Sequence, residues 1–483
     1  MRRLIESLKT LLAVCLGISM LALWTSYIYL QFDRSGEDTA ELDRSFWIFN
    51  DTARAPSEIT ADDSFFTPVS VSLILSGKGY TSAYNTELTQ TLYENAKPLL
   101  LEVFSSPYIC TKSDKDTWER ALEAEDAIFI EYPSPVPYTT IAYFLQKSEG
   151  FCEGELCYVE KLLLFSDSAN ATSALSIDGD GNVYSYSWNE SEAPSLIYDF
   201  NSNNLAAYTV NEGFIPFEFN KKSSEGKSFE NLDAEYKLLL SAPNLPSIKV
   251  ENPFQSTLDA AFGETENSYF ELVEKQELSV ILDAFDINPN IVGYYSDTNL
   301  GLIFVGEDMR LVISPTGTVT YTLINKEAVS VTIASLLSIA KTDFTSDEIL
   351  AAATSFLAKL PKHVLGGDAT LILENISYSS ASSEMQFTFG YYYNLADVIS
   401  ASRDKAVVMT FNETGLVKMI LKSMSIAQDV DGEVYEEDYM KTDIIPSVVA
   451  QMADEKAGTL EPIYTFKAYG EAITPLWATG GNR

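Results

Sequence analysis

The stretch "MRLVISPTGTVTYTL" (309–323) decides how this chain is read. An apolar run alternates in period two, a Pro-Thr-Gly cluster interrupts it, and a second alternating run follows with Val319 and Tyr321. That is the pattern of two half-buried strands joined by a tight turn. It recurs twice. "SIDGDGNVYSYS" (176–187) and "AVVMTFNETGLVKMIL" (406–421) each place a G-x-V after a polar turn, with Gly181, Gly317 and Gly415 in corresponding positions. A glycine there suits a backbone with positive φ. The separations between the three glycines are unequal, which excludes a tight solenoid and points to recurrent modules of sheet and helix.

Outward from these hairpins the sequence alternates strand and helix patterns. "PVSVSLILS" (68–76) reads as a strand. "NTELTQTLYENAKPLLLEVF" (85–104) sets Leu88, Leu92, Ala96, Leu99 and Val103 at helical spacing, perturbed by Pro98. "KDTWERALEAEDA" (115–127) reads as a short helix feeding the strand "IFIEY", which Pro133, Pro135 and Pro137 are expected to break. Between the second and third hairpins, "KEAVSVTIASLLSIAK" (326–341) is expected to form an apolar helix. "TSDEILAAATSFLAKL" (345–360) forms another, opened by Thr345 and Glu348 at capping-box spacing and buried along Ile349, Ala353, Phe356, Leu357 and Leu360. Strands "DATLILENISYS" (368–379) and "EMQFTFGYYYNL" (384–395) follow, then an acidic loop, "DVDGEVYEEDYM" (429–440). The fold class is α+β, with helices packed on antiparallel sheet.

The N-terminus sets the expected compartment. Residues 10–32 hold no charged side chain and follow a tail bearing Arg2, Arg3 and Lys9. As a helix they would span roughly 35 Å, enough for a hydrocarbon core of about 30 Å. The basic flank places the tail in the cytoplasm, and Trp24, Tyr27 and Tyr29 sit where interfacial aromatics do. A cleaved signal peptide would need small residues before the cut, and a lipoprotein reading of "LAVC" places valine before Cys15 with a long apolar run beyond it. An uncleaved anchor fits better. The expected organisation is a cytoplasmic tail (1–9), a transmembrane helix (10–32), a juxtamembrane stalk (33–64), and two extracytoplasmic α+β domains (65–235 and 236–483). Within the span, Ala13 and Gly17 stand four apart, as do Cys15 and Ser19, a spacing that lets helices approach closely in lipid. Ala13 and Gly17 are therefore the candidate partner-binding residues.

The formal net charge is −37. Such a surface repels nucleic acid and anionic lipid headgroups, stays soluble, and attracts cations or basic partners. Four cysteines are few for a disulfide scaffold. Cys152 and Cys157, in "FCEGELC", are close enough for a small local disulfide, and Cys110 is left over.

The motifs of chemistry are thin. A calcium loop starting at Asp178 would need glycine at its sixth position and glutamate at its twelfth, where Val183 and Asn189 stand. "SIAK" (338–341) matches S-x-x-K without the other two elements of a serine–lysine site. His363, the single histidine, lies just past a helix pattern and suits a C-terminal capping cation. Asp429, Asp431 and Glu433 read as a hydrated loop rather than a metal site. "SGKG" (76–79) lacks phosphate-loop spacing. No catalytic residue, cofactor or metal is expected.

Several segments resemble the YycH family, membrane-anchored regulators of the sensor histidine kinase that controls cell-wall metabolism in low-GC Gram-positive bacteria. "IFIEYPSPVPYTTIAYFL" (128–145) is similar to that family's strand and proline-rich segment. "MRLVISPTGTVTYT" (309–322) is similar to a hairpin the family shares with the related YycI proteins. "FTFGYYYNLADVI" (387–399) and "ITPLWAT" (473–479) are similar to its closing strands. The middle, roughly 189–290, matches poorly, and so acidic a chain departs from the family pattern. The resemblance implies a non-enzymatic protein that pairs its span and exported part with a sensor kinase and with a second, YycI-like anchored regulator. The alternative from another class is a tethered extracytoplasmic binding or cell-wall-processing protein.

Overall fold

A computed structural model describes residues 63–104, 111–146, 157–165, 172–187, 193–208, 214–217, 238–241, 245–262, 276–326, 328–400, 405–429, 460–466 and 468–479. The proposed anchor and most of the stalk lie outside them. Among the described residues no helix is long and apolar enough to cross a membrane. The α+β class holds: the described elements are antiparallel-rich sheets with helices packed on them.

The first sheet comprises β1 (Ser70–Leu75), β2 (Lys78–Thr81), β3 (Thr111–Ser113), β4 (Ala127–Pro137), β5 (Tyr158–Phe165), β6 (Thr172–Ile177), β7 (Val183–Ser187) and β8 (Ile215–Phe217). Their order is β3-β7-β6-β5-β4-β1-β2-β8. Helices α1 (Thr86–Phe104), α2 (Lys115–Ala121), α3 (Tyr138–Gln146) and α4 (Ala193–Ala207) accompany it. One face buries Val71, Leu73, Ile128, Ile130, Leu162 and Leu164 beneath Leu92, Leu99 and Leu100 of α1 and Ile197 of α4. On the other face Trp118 and Ala121 of α2 cover Phe129, Leu163, Leu175 and Val183. Cover on both faces explains why β5 reads as a continuous apolar run rather than an alternating one. Helix α1 passes through Pro98 unbroken. Its stripe is buried on both sides of the proline, so packing outweighs a local penalty of about 3 kcal/mol.

The prolines do not break β4 as the sequence suggested. The strand runs for 11 residues through all three of them. The reason lies in the pairing. Neighbour β1 ends its register at Glu131, and the β5 register shifts between Glu131 and Val136. Pro133 and Pro135 therefore fall where β4 needs no ladder donor, the place sheets tolerate proline.

The second region contains β9 (Leu238–Ser241), β10 (Ile248–Glu251), β11 (Gly293–Asp297), β12 (Gly301–Val305), β13 (Met309–Ile313), β14 (Thr318–Leu323), β15 (Leu365–Gly367), β16 (Thr370–Ser379), β17 (Glu384–Tyr393), β18 (Ala396–Ser400), β19 (Val407–Phe411), β20 (Leu416–Lys422), β21 (Met424–Gln428), β22 (Leu460–Phe466), β23 (Ala472–Ile473) and β24 (Leu476–Thr479). A long sheet runs β11-β12-β13-β14-β20-β19-β17-β18-β22-β24-β9, with β16 also on β17; a small one runs β15-β21-β10-β23. The chain crosses from one to the other between β20 and β21, at buried Ser423, whose hydroxyl donates to Val364 O at 2.8 Å. Helices α5 (Gln255–Phe262), α6 (Gln276–Ala284), α7 (Ile333–Leu337) and α8 (Ser346–Leu357) complete the region. Below the long sheet Phe285 stacks on Tyr321 at 4.6 Å and meets Phe356 of α8 at 5.0 Å.

Among its described residues the segment 326–341 is helical only over the five residues of α7. Its β-branched first half instead bridges the third hairpin, with Leu416 N donating to Val331 O and Ile333 N to Thr414 O. Thr332 caps the helix and Ser338, in the left-handed region at φ 55°, ends it. The capping box on α8 forms as the spacing required.

The three repeated hairpins form, but their glycines do different work. Gly181 and Gly317 have φ of 78° and 70°. In each turn the fourth residue on returns its carbonyl to the first: Asp178 N to Asn182 O at 3.1 Å and Ser314 N to Thr318 O at 2.9 Å. Gly415 is not among the positive-φ glycines. A Cβ there would lie 2.2 Å from Val331 O, so this glycine admits the crossing backbone of 329–332. Gly181→Asn is accordingly expected to cost within about 1 kcal/mol, since asparagine tolerates this region and nothing crowds the site. Gly415→Asn is expected to cost about 2–3 kcal/mol by forcing that backbone away. Denaturant midpoints of the two variants separate the roles; equal losses would refute the distinction.

Tyrosine hydroxyls brace the crossover and its surroundings. Tyr469 OH donates to Thr316 O at 2.9 Å or Ser423 O at 3.0 Å, joining the second hairpin's turn to the crossover. Tyr464 OH donates to Pro246 O and Tyr391 OH to Lys422 O. Burial pushes Tyr469 up to about 12, and Tyr391 and Tyr464 further in the same direction. A phenol raised above its unfolded value stabilises fully below about pH 10 and loses that contribution as pH climbs through the folded value. Unfolding is therefore expected to set in above pH 10 and to coincide with phenolate absorbance. Tyr469→Phe should cost about 1 kcal/mol at pH 7 and reduce that alkaline loss. An unchanged alkaline profile would remove Tyr469 from the account.

Candidate functional site

The side chains that most invite a chemical reading have structural partners. Asp178 is the hub of its turn. Its Oδ1 accepts from Asp180 N at 3.0 Å and Asn182 N at 2.8 Å, and its Oδ2 accepts from Tyr184 OH at 3.2 Å. Among the described residues no three metal-ligating side chains gather. Ser338 terminates α7, while Lys341 places Nζ 2.6 Å from both carboxylate oxygens of Glu348, which is 3% exposed. Glu348 Oε2 also accepts from Thr345 N at 2.8 Å, so one buried carboxylate closes the capping box and holds the lysine. The end of α8 is closed by backbone amides: Ala358, Lys359 and Leu360 donate to Thr354, Phe356 and Leu357 carbonyls. His363 is not the group that satisfies them. Asp429 extends the β21 pairing by donating its N–H to Ser247 O at 2.8 Å. Asp431 and Glu433 lie outside the described residues, as do Ala13 and Gly17. Cys157 is disulfide-bonded, and its bonded partner falls outside the described residues, where Cys152 also lies.

What the fold brings together is a junction and an edge. At the junction the proline-bearing half of β4 runs against β16. Ser134 Oγ donates to Leu373 O at 3.5 Å, Thr140 Oγ1 donates to Asp347 at 2.8 Å, and Val69 rests on Ile372, Tyr392 and Leu395. Phe65 meets Phe389 edge-on at 5.9 Å. Beside it, β16 shifts register between Leu373 and Asn375, and Glu374 accepts from Tyr392 OH at 3.2 Å and Lys405 Nζ at 2.9 Å. Proline spares β4 the donors that would otherwise zip it to β16, so two sheets abut without merging.

The edge is β11. It pairs with β12 from Gly293↔Val305 to Asp297↔Gly301 and ends the long sheet. Tyr294 turns inward against Phe304 at 5.4 Å, and burial pushes its phenol up against a hydrogen bond with Ser296. Tyr295 turns outward and is 50% exposed, with Ile291 at 80% and Leu300 at 53% flanking the strand. The sequence reading did not single out this segment. "IVGYYS" (291–296) beside the turn-rich "DTN" is legible as a strand, but its place at the rim depends on pairing order, which is not local.

Neither a family model nor a curated protein matches the chain. Among solved structures the chain is similar to YycH from Bacillus subtilis, at 12% identity and a TM-score of 0.44, covering 89% of this chain and 97% of that one. This is the family that segments 128–145 and 309–322 resemble. At that level the likeness assigns neither function nor partner.

Proposed function

We propose that this chain is a non-enzymatic, membrane-anchored regulator that modulates a sensor histidine kinase controlling cell-wall metabolism, acting beside a second, YycI-like anchored regulator. Residues 10–32 hold it in the membrane, residues 1–9 stay in the cytoplasm, and the folded bulk makes contacts outside. The observation that carries the reading is where the family-like segments fall. They are the framework itself: β4 with α3, the β13–β14 hairpin, β17 with β18, and β24. The groups that imitate catalytic motifs meanwhile serve turns and caps. A regulator of this kind shifts its partner's two-state equilibrium only by binding one state better than the other.

Crosslinking in intact membranes, followed by identification of the captured protein, tests it. A sensor kinase is the expected partner; capture of a wall hydrolase or a transporter alone would overturn the reading in favour of a tethered processing protein. Ala13→Leu with Gly17→Leu is expected to reduce co-purification of the kinase, because bulk at both positions keeps helices apart. Unchanged co-purification would remove that contact.

A further inference from the structure

A short strap of chain lies between the two regions. Asp63–Phe66 form a 3-10 turn that leads through Thr67 and Pro68 toward β1, and Phe65, Phe66, Thr67 and Pro68 are all buried. The two neighbouring rings serve opposite sides. Phe65 meets Phe389 of β17, in the long sheet, edge-on at 5.9 Å, while Phe66 packs on Phe144 of α3, beside the first sheet, at 4.0 Å. Thr67 Oγ1 donates back to Ser64 O at 2.8 Å and keeps the turn closed. Val69 then belongs to both regions: its N–H donates to Glu131 O of β4 at 2.8 Å, and its side chain rests on Ile372, Tyr392 and Leu395. These links to the long sheet are made by side chains, so releasing them breaks no ladder.

The strap rests on a strained hairpin. Strands β17 and β18 pair at Tyr393↔Ala396 and are joined by Asn394 and Leu395, with φ of 47° and 61°. A two-residue turn with both residues left-handed suits Asn-Gly. Leucine is crowded in that conformation and keeps it only where its surroundings over-determine it. Here Leu395 is 4% exposed and is packed with Ile372, Tyr392 and Val69 of the strap. Without that packing the turn has a less crowded backbone to move to. We propose that residues 64–69 are a clasp between the first sheet and the long sheet, and that the Asn394–Leu395 hairpin is the element that yields when the clasp withdraws. The chain enters the clasp from residues 1–62. A pull or a partner acting there reaches the junction through Phe65, Phe66 and Val69, and biases it between a clasped and a released arrangement. The inference needs only the folded region, and is independent of whether residues 10–32 span a membrane or the partner is a kinase.

The test is hydrogen exchange on the full-length chain in detergent micelles, because a clasp transmits each loss to the region opposite the ring contact. Leucine keeps most of the ring's volume, so the fold is retained. Phe66→Leu, at the ring on α3, is expected to speed exchange of the 394–398 amides about tenfold; Phe65→Leu, at the ring on β17, should speed the α3 amides by a similar factor. Trp118→Leu, buried on the far face of the first sheet, should leave the 394–398 amides within about twofold. In Leu395→Gly the left-handed turn is unstrained, so adding Phe66→Leu should change those amides by less than about threefold. Dyes at exposed Tyr198 of α4 and exposed Ile324, just past β14, should report a broader distance distribution in the double variant Phe65→Leu with Phe66→Leu than in the parent. Exchange that rises only on the side of each ring's own contact would overturn the clasp, as would an unchanged distance distribution or an equal response to Trp118→Leu. An undiminished tenfold rise in Leu395→Gly would overturn the part given to the hairpin.

Discussion

Replacing Phe285 by alanine is expected to lower the free energy of unfolding by about 3–5 kcal/mol, the range for removing a fully buried aromatic ring. Phe285 is 1% exposed. It stands just past α6, stacks on Tyr321 of β14 and touches Phe356 of α8, so one ring joins helix, sheet and helix. Truncation loses both ring contacts and leaves a void that three separate elements would have to move to fill. Phe285→Leu retains most of the volume and should recover about half of the loss. The same ring precedes the chain leading into β11, through Ile287 N donating to Leu282 O at 2.8 Å. Hydrogen exchange should therefore show the β11 amides among the first to lose protection in Phe285→Ala. A variant within about 1 kcal/mol of the parent would contradict the place given to this ring in the core.

The second large effect belongs to Glu348. Glu348→Ala strands the Lys341 ammonium, which is 25% exposed, and removes the acceptor of Thr345 N. Breaking a fully buried pair costs about 3–5 kcal/mol; partial exposure of the lysine lowers the expected loss here to about 2–4 kcal/mol. Glu348→Gln keeps an acceptor for the cap but gives up the charge pairing, so it should lose about half as much. Lys341→Met removes the cation, keeps the stem and leaves the cap acceptor in place, but strands the Glu348 carboxylate, which is 3% exposed, so it should cost about as much as Glu348→Ala. Denaturant titration of the three variants checks this order. Glutamine as damaging as alanine would mean that the charge pairing, and not the cap, holds the segment together.

Much of this was legible because it is local. The capping box at Thr345 and Glu348, the stripe of α1 and the three hairpins all depend on residues within a few positions of one another, and all form. The readings that failed are those in which a distant partner decides. Three prolines look like a break in "YPSPVP", yet β4 continues because neither neighbour asks Pro133 or Pro135 for a hydrogen bond. Val329, Val331 and Thr332 sit in an apolar pattern that suits a helix, but the approach of Gly415 draws them into a bridge and leaves α7 short. The glycine of the third hairpin matches the other two in sequence and differs in purpose, because only there does another backbone cross. The crossover at Ser423 and the rim position of β11 follow from strand order, which no short window contains. Lys341 and Asp178, which were not expected to act in catalysis or metal binding, make structural contacts that no motif specified.

The most direct test of the account is the phosphorylation state of the response regulator served by the co-purifying sensor kinase, measured in cells with the gene deleted and then restored. Deletion is expected to shift the phosphorylated fraction, the full chain to restore it, and a version lacking residues 1–32 but exported by another leader to fail. An unchanged fraction on deletion, or full restoration by the unanchored version, would contradict an anchored regulator that works by contact.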